Sequence, residues 1–208
     1  MALVIGNRSY PGKDSLTTTV VEAREIAKLL GSTTYGYRVI LCTDVDYTAL
    51  RDSLEILSKD IVDSKLALVY YTGHAQCKSV EGNTQYCLRG IDNKDFEMSY
   101  IIKMMESSQC DKVVIVDACR SFCDIKYLQS LDDNVYYINA VRPGEEASDG
   151  ERIRGKSLFA LAFIETLHKY LSSDRHLTIS TLYETIYGKL NTASFTPPRN
   201  VNGITYIK

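Results

Sequence analysis

Apolar residues recur along this chain with two different periods, and the alternation between them predicts its architecture. Ala2-Leu3-Val4-Ile5 is a short apolar run closed by Gly6-Asn7, as expected of a buried strand. From Val20 to Leu30 the apolar positions Val20, Val21, Ala23, Ile26, Ala27, Leu29 and Leu30 trace a helical face that stops at Gly31. Strand character returns over Tyr37–Cys42. A second helix fits Tyr47–Val62, with Leu50, Leu54, Ile56 and Leu57 inward, and it feeds the apolar and aromatic run Leu66–Tyr71. Residues Ala75–Asp95 show no long period and predict a small hairpin around Tyr86-Cys87-Leu88. A third helix over Ser99–Glu106 precedes the apolar run Lys112–Val116, and Val135–Val141 makes the next strand. The charged, glycine-containing stretch Arg142–Lys156 predicts a surface loop. Helices follow at Ser157–Leu171 and Ile179–Leu190, and Gly203–Lys208 predicts a final strand.

Strand, helix, strand, helix in this order argues for an α/β fold, a mostly parallel sheet with helices on both faces. Two of the apolar runs end in chemistry. Lys112-Val113-Val114-Ile115-Val116 delivers Asp117-Ala118-Cys119 where the sequence turns polar, and Leu66–Tyr71 delivers Thr72-Gly73-His74. The carboxyl ends of parallel strands are where open α/β sheets present reactive groups. His74 and Cys119 are 45 residues apart, enough for a crossover containing one helix, so they can leave the same edge from adjacent strands.

The chain has 208 residues, 45% hydrophobic and 24% charged, and no Pro/Gly/Ser-rich stretch divides it, so we expect a single domain over residues 1–208. A first strand starting directly after the initiator methionine suggests a catalytic domain cut from a longer protein. A formal charge of −2 gives no electrostatic reason to expect nucleic acid, and no apolar run is long enough to span a membrane. The six cysteines, Cys42, Cys77, Cys87, Cys110, Cys119 and Cys123, lack metal-ligand spacing, and we expect reduced thiols in a cytoplasmic compartment. No metal site is expected.

A free thiol has a pKa of roughly 8.5 and is a poor nucleophile at neutral pH. An imidazole beside it raises the thiolate fraction and then protonates a leaving amine, which is acyl transfer from an amide. The tetrahedral oxyanion needs N–H donors, available from the backbone at Cys119 and in the Gly73–Ala75 turn. His168, in a helix, and His176, in a loop, read as solvated.

Tyr70-Tyr71-Thr72-Gly73-His74-Ala75 together with Val116-Asp117-Ala118-Cys119-Arg120-Ser121 resembles the histidine and cysteine motifs of the caspase-like cysteine proteases, and Ala2–Asn7 with Tyr10 resembles their opening strand. The similarity runs along essentially the whole chain. Paracaspases and metacaspases look closer than true caspases, because Asp117 stands where the Q-A-C-[RQG]-G pattern has glutamine. The resemblance implies a three-layer sandwich, His74 and Cys119 as the catalytic dyad, and an oxyanion hole of the Ala75 and Cys119 amides. The family has glycine after the histidine; Ala75 keeps the N–H but restricts the backbone if a positive φ is required.

A carboxylate two residues before the nucleophile would raise the thiol pKa and repel acidic substrates, so Asp117 makes sense if a cationic substrate side chain neutralises it. The resemblance to paracaspases implies an acid-lined pocket and puts Glu22, Asp117 and Asp149 at its positions. Thr19-Val20-Val21-Glu22 also satisfies a capping box, and Asp149 lies in a charged loop where solvation is the ordinary reading. The expected function is therefore a cysteine endopeptidase acting on proteins or peptides after arginine, with lysine second. A catalytically silent scaffold of the same fold is the alternative. A phosphate binder is disfavoured, because Gly6-Asn7-Arg8-Ser9-Tyr10 lacks a phosphate-loop glycine pattern. No cofactor is required. The resemblance allows activation by calcium or by homodimerisation, with Asp132-Asp133 or the loop at 142–156 serving either, although neither has calcium-loop spacing.

Overall fold

Apolar runs without alternation become parallel strands because both faces of the sheet are covered. The computed structural model describes residues 1–12, 14–80, 83–106, 108–119, 134–142, 155–191, 193–196 and 205–208. Among them the elements run β1 (Ala2–Gly6), α1 (Thr19–Leu30), β2 (Val39–Thr43), α2 (Tyr47–Asp60), β3 (Leu66–Thr72), β4 (Ala75–Val80), β5 (Asn83–Arg89), β6 (Asp95–Glu97), α3 (Met98–Met105), β7 (Asp111–Asp117), β8 (Val135–Asn139), α4 (Leu158–Leu171), α5 (Ile179–Leu190) and β9 (Ser194–Thr196). A six-stranded sheet has the order β2-β1-β3-β7-β8-β9, parallel except for β9. Helices α1, α4 and α5 pack on one face against Val4, Leu68, Tyr70, Val113, Ile115 and Ile138. The other face carries α2, α3 and a small antiparallel sheet, β4-β5-β6, over Leu3, Ile5, Val69, Tyr71, Val114 and Val116.

The expected helices and parallel strands are present with shifted ends, and the differences have local causes. Val21 and Ile56, read as inward, are exposed. The buried stripe on α2 is Leu50, Leu54 and Leu57, and Ile56 is turned about 200° from Leu54 around the helix. The predicted hairpin gains a third strand, because Leu88 pairs with Phe96 and Arg89 with Asp95. Gly203–Lys208 does not form a sheet strand in its described part: Tyr206 makes one isolated bridge to Thr178, and β9 pairs with β8 at the sheet edge instead. Asp132-Asp133, Asp149 and residues 143–154 of the expected loop lie outside the described residues.

β1 sits where the topology reverses, with β2 on one side and β3 on the other. Such a switch point opens a crevice at the strand carboxyl ends. Asn7 closes β1 there: its Nδ2 donates to the carbonyls of Val45 and Arg89 at 3.1 and 3.0 Å, and its Oδ1 accepts from the Val45 amide at 2.9 Å. Gly6 lets α1 approach the strand, since a Cβ there would lie 2.6 Å from both Ala23 Cβ and the Thr19 carbonyl oxygen. We therefore expect Gly6→Ala to destabilise the fold by about 1–3 kcal/mol through overpacking. Equilibrium urea unfolding measures this, and an unchanged midpoint would contradict the close packing of β1 on α1.

Candidate active site

The parallel register of β3 with β7 sets Thr72 opposite Asp117, and the Gly73 amide donates to the Asp117 carbonyl at 3.4 Å. His74 and Cys119 each lie two residues beyond that pair. Paired strands run about 4.8 Å apart, so the two residues leave one sheet edge from neighbouring positions. Cys119 is half-buried, and its carbonyl accepts a hydrogen bond from the Tyr86 hydroxyl at 3.0 Å. Buried Asn139 donates in turn to the hydroxyls of Tyr86 and Tyr137 at 3.3 and 2.8 Å. The backbone at Cys119 is thus tied to β5, and through it to β8.

His74 is held by backbone and ring. Its amide donates to the Tyr10 hydroxyl at 2.9 Å, its carbonyl accepts from the Tyr71 hydroxyl at 2.7 Å, and its ring centroid lies 4.5 Å from that of Tyr10. Glycine is needed before it, because a Cβ at Gly73 would lie 2.6 and 2.7 Å from the Tyr71 and Tyr10 hydroxyls. The ring Nε2 is 2.6 Å from the Asp14 carbonyl oxygen. A carbonyl only accepts, so Nε2 carries the proton, and in the neutral ring Nδ1 keeps the basic lone pair.

The amides of the turn divide in use. Gly73 donates to Asp117 and His74 to Tyr10, whereas Ala75 begins β4. The Arg89 amide donates to the His74 carbonyl, so the following pair, Ala75 with Leu88, is a non-hydrogen-bonded one whose N–H and C=O point away from the partner strand. β4 is an edge strand, so the Ala75 amide faces outward. Ala75 is not among the positive-φ residues, which outside glycine are Asp44, Asn93 and Asn191 among the described residues. Alanine is therefore unstrained where the family resemblance leads one to expect glycine.

Two of the three acids expected to line a pocket come together. Glu22 is fully buried and Asp117 is 5% exposed. Alternation along β3 and β7 turns Tyr70, Thr72 and Asp117 toward α1 and α4. Glu22 accepts from the Ser157 amide at 2.6 Å and from the Thr72 hydroxyl at 3.3 Å. Asp117 accepts from the Ser157 hydroxyl at 2.7 Å and the Tyr70 hydroxyl at 3.3 Å. The capping-box reading of Glu22 fails. Thr18 caps α1 without a side-chain bond, and the Thr19 hydroxyl donates to the Asn7 carbonyl. Burial, then the neighbouring Glu22 carboxylate, pushes Asp117 up to about 7 against its donors. Asp149 lies outside the described residues.

Cys42, Cys87, Cys110 and Cys119 are free thiols, but Cys77 is disulfide-bonded. The expectation of reduced cysteines throughout is corrected at that position, where a half-buried thiol on an edge strand is open to oxidation. Tyr10, Tyr71, Tyr86, Asn139 and Ser157 were not singled out as site residues from sequence. Tyr10 and Tyr71 stand within the quoted motifs without an assigned role, and Ser157 had a local signal of its own, a hydroxyl residue opening an apolar helical run. Its hydroxyl accepts from the Ala160 amide at 3.0 Å, capping α4. Among the described residues no group of three or more His, Cys, Asp or Glu could hold a metal ion, and no helix is long and apolar enough to cross a membrane.

A family model described as caspase domain matches residues 1–198. The chain belongs to the caspase-domain family. Solved structures with the same fold include a Geobacter sulfurreducens protein (TM-score 0.75, 12% identity, covering 94% of this chain and 91% of that one). The Drosophila initiator caspase Dronc aligns with TM-score 0.73 at 11% identity, covering 99% of this chain and 82% of its own. Caspase-1 of Spodoptera frugiperda aligns with TM-score 0.73 at 14% identity, covering 100% and 88%. No curated protein sequence matches the chain. At these identities the structural likenesses concern the fold; the family match assigns a caspase domain, and with it the general class of cysteine peptidases acting on protein substrates.

The state of Asp117 in this caspase domain has a consequence for stability. An unfolded aspartate gives up its proton near 3.9, whereas native Asp117 keeps its proton until about pH 7. Between those values the native state holds more protons than the unfolded state, so this group's contribution to stability is greatest below pH 4 and is lost as pH rises through 7. Wild type should therefore lose stability relative to Asp117→Asn between about pH 4 and pH 8. Urea unfolding of both proteins across that range checks this, and parallel pH profiles would contradict the raised carboxyl.

Proposed function

We propose that the chain is a cysteine endopeptidase that cleaves after arginine, and less readily after lysine, through Cys119 and His74. The observation that carries the specificity is the buried pair Glu22 and Asp117, on the strand that delivers Cys119 and the helix beside it. Two adjacent buried carboxyls share hydroxyl and amide donors at a cost that a bound guanidinium would offset with bidentate, charge-assisted hydrogen bonds. Binding such a side chain near neutral pH would release the proton held by Asp117.

In this reading His74 Nδ1 takes the thiol proton of Cys119 and the sulfur attacks the carbonyl carbon of the scissile bond. The carbonyl π electrons move to oxygen, which receives hydrogen bonds from the Ala75 and Cys119 amides. The Asp14 carbonyl supports the imidazolium through Nε2. Collapse of the intermediate breaks the C–N bond, and Nδ1 returns the proton to the departing amine. Water then hydrolyses the thioester by the same route and restores the thiol. A histidine whose Nε2–H is held on the Asp14 carbonyl keeps Nδ1 as a base, which favours the peptidase reading over the silent-scaffold alternative. Among the described cysteines four free thiols favour a reducing, cytoplasmic setting, and the disulfide-bonded Cys77 argues the other way. Activation by calcium or by homodimerisation belongs to the paracaspase and metacaspase resemblance, and no calcium site is proposed.

A positional-scanning peptide library on wild type, Cys119→Ala, His74→Ala and Asp117→Asn tests the reading. Cys119→Ala and His74→Ala should each lose several orders of magnitude in turnover, as members of one catalytic unit do. Asp117→Asn should lower kcat/KM after arginine by about two to three orders of magnitude, for a desolvated charge-assisted contact of roughly 2–4 kcal/mol. Turnover surviving in Cys119→Ala would end the assignment, and an unchanged arginine-to-uncharged ratio in Asp117→Asn would end the basic pocket.

A further inference from the structure

Among the described residues Ser157 hydrogen-bonds to both pocket acids. Its amide donates to Glu22 Oε1 at 2.6 Å, its hydroxyl donates to Asp117 Oδ2 at 2.7 Å, and its Oγ accepts from the Ala160 amide at 3.0 Å. The hydroxyl has a single proton. With the Ala160 N–H occupying a lone pair, that proton goes to Asp117 when the carboxyl is ionised, so the N-cap of α4 is also a donor to the charged form of the acid.

The groups facing Asp117 from each neighbouring element can be named. α1 contributes Glu22; β3 contributes the hydroxyls of Tyr70, directly, and Thr72, through Glu22; α4 contributes Ser157 and its first-turn amides. Among these Glu22 is acidic, and the donors come from hydroxyls and backbone. Lys156, beside Ser157, is drawn off to Glu25 at 3.0 Å, a carboxylate that also lies 3.8 Å from His168. The charge of the pair is therefore set by short-range donors, and Ser157 supplies one to each acid. The partial positive end of α4 reaches the pair through the same residue.

We propose that Ser157 is a specificity-determining residue: it clasps Glu22 and Asp117 so that the pair can ionise against an incoming guanidinium, and it couples the position of α4 to the charge of the pocket. This rests on the basic-pocket reading above. Ser157 is a positioning residue that acts through the acids, distinct from the dyad. Without its hydroxyl Asp117 loses a donor to its charged form, and the pocket stays protonated to higher pH.

The test compares Ser157→Ala, Ser157→Gly and Ser157→Thr with wild type, using paired peptides that carry arginine or an uncharged residue before the scissile bond, from pH 5.5 to 9. Glycine caps a helix nearly as well as serine but has no hydroxyl, so it separates loss of the donor from loss of α4. Threonine keeps the hydroxyl. The ratio of the two rates cancels the titration of Cys119 and His74. We expect that ratio to fall about 10-fold or more at pH 7 in the alanine and glycine variants, as for loss of a hydrogen bond to a charged group. Its pH midpoint should move up by about one unit, and threonine should restore both. Activity-free unfolding should show the Asp117-linked loss of stability extending to higher pH in Ser157→Gly. Equal loss on both peptides, or an unmoved midpoint in folded variants, would overturn the proposal. A wild-type enzyme that does not prefer arginine would overturn the pocket reading itself, a failure visible before any Ser157 variant is measured.

Discussion

The pairing of β3 with β7 in the register that sets Thr72 against Asp117 is the constraint on which the site depends. Side chains alternate across a strand, so this register turns Tyr70, Thr72 and Asp117 toward α1 and α4, and Tyr71 and Val116 toward α2, α3 and the small sheet. It also brings the chain out of both strands at one level, with His74 and Cys119 two residues on. A slip of one residue in β7 would turn Asp117 away from Glu22 and destroy the match of the two strand ends. The register is protected by burial on both faces, since every residue of β3 and all but the first of β7 are buried.

Around this pairing the molecule accepts destabilising features at both ends of β7. Glu22 and Asp117 are buried side by side, a glycine is squeezed between two tyrosine hydroxyls, and Lys112 at the opposite end of β7 is buried but answered by the Ser108 and Cys110 carbonyls and Asn134. The lysine is a structural solution, a cation satisfied by fixed acceptors. The acids differ, because burial and mutual repulsion raise Asp117 in spite of its donors. Such a pair at the carboxyl edge of the sheet, beside Cys119 and an oriented imidazole, is what supports the proposal of a binding site for a cation.

The parallel strands and their chemistry were legible because they depend on local pattern: apolar runs that end in Thr72-Gly73-His74 and Asp117-Ala118-Cys119. Glu22 came from the resemblance and was contested by a local capping signal; the structure removes the capping reading and sets Glu22 against Ser157, which is distant in sequence and could not be paired with it by pattern. β9 and β6 were missed because three-residue strands carry no usable period. Tyr10, Tyr71, Tyr86 and Asn139 were missed for a different reason. Each acts through a hydroxyl or amide bonded across the fold, a role that local sequence does not show even for Tyr10 and Tyr71, which stand within the quoted motifs. Cys77 shows the same limit, since a thiol's redox state depends on what the fold brings near it.

In the proposed reading one sheet edge holds a thiol nucleophile beside a pocket for a cationic side chain. The most direct measurement is the rate at which peptidyl acyloxymethyl ketones, identical except for arginine or aspartate next to the reactive group, alkylate the protein, with the modified residue located by peptide mass spectrometry. The account predicts fast modification by the arginyl reagent confined to Cys119, with the aspartyl reagent slower by orders of magnitude. Equal rates for the two reagents, or label distributed over Cys42, Cys87 and Cys110, would contradict it.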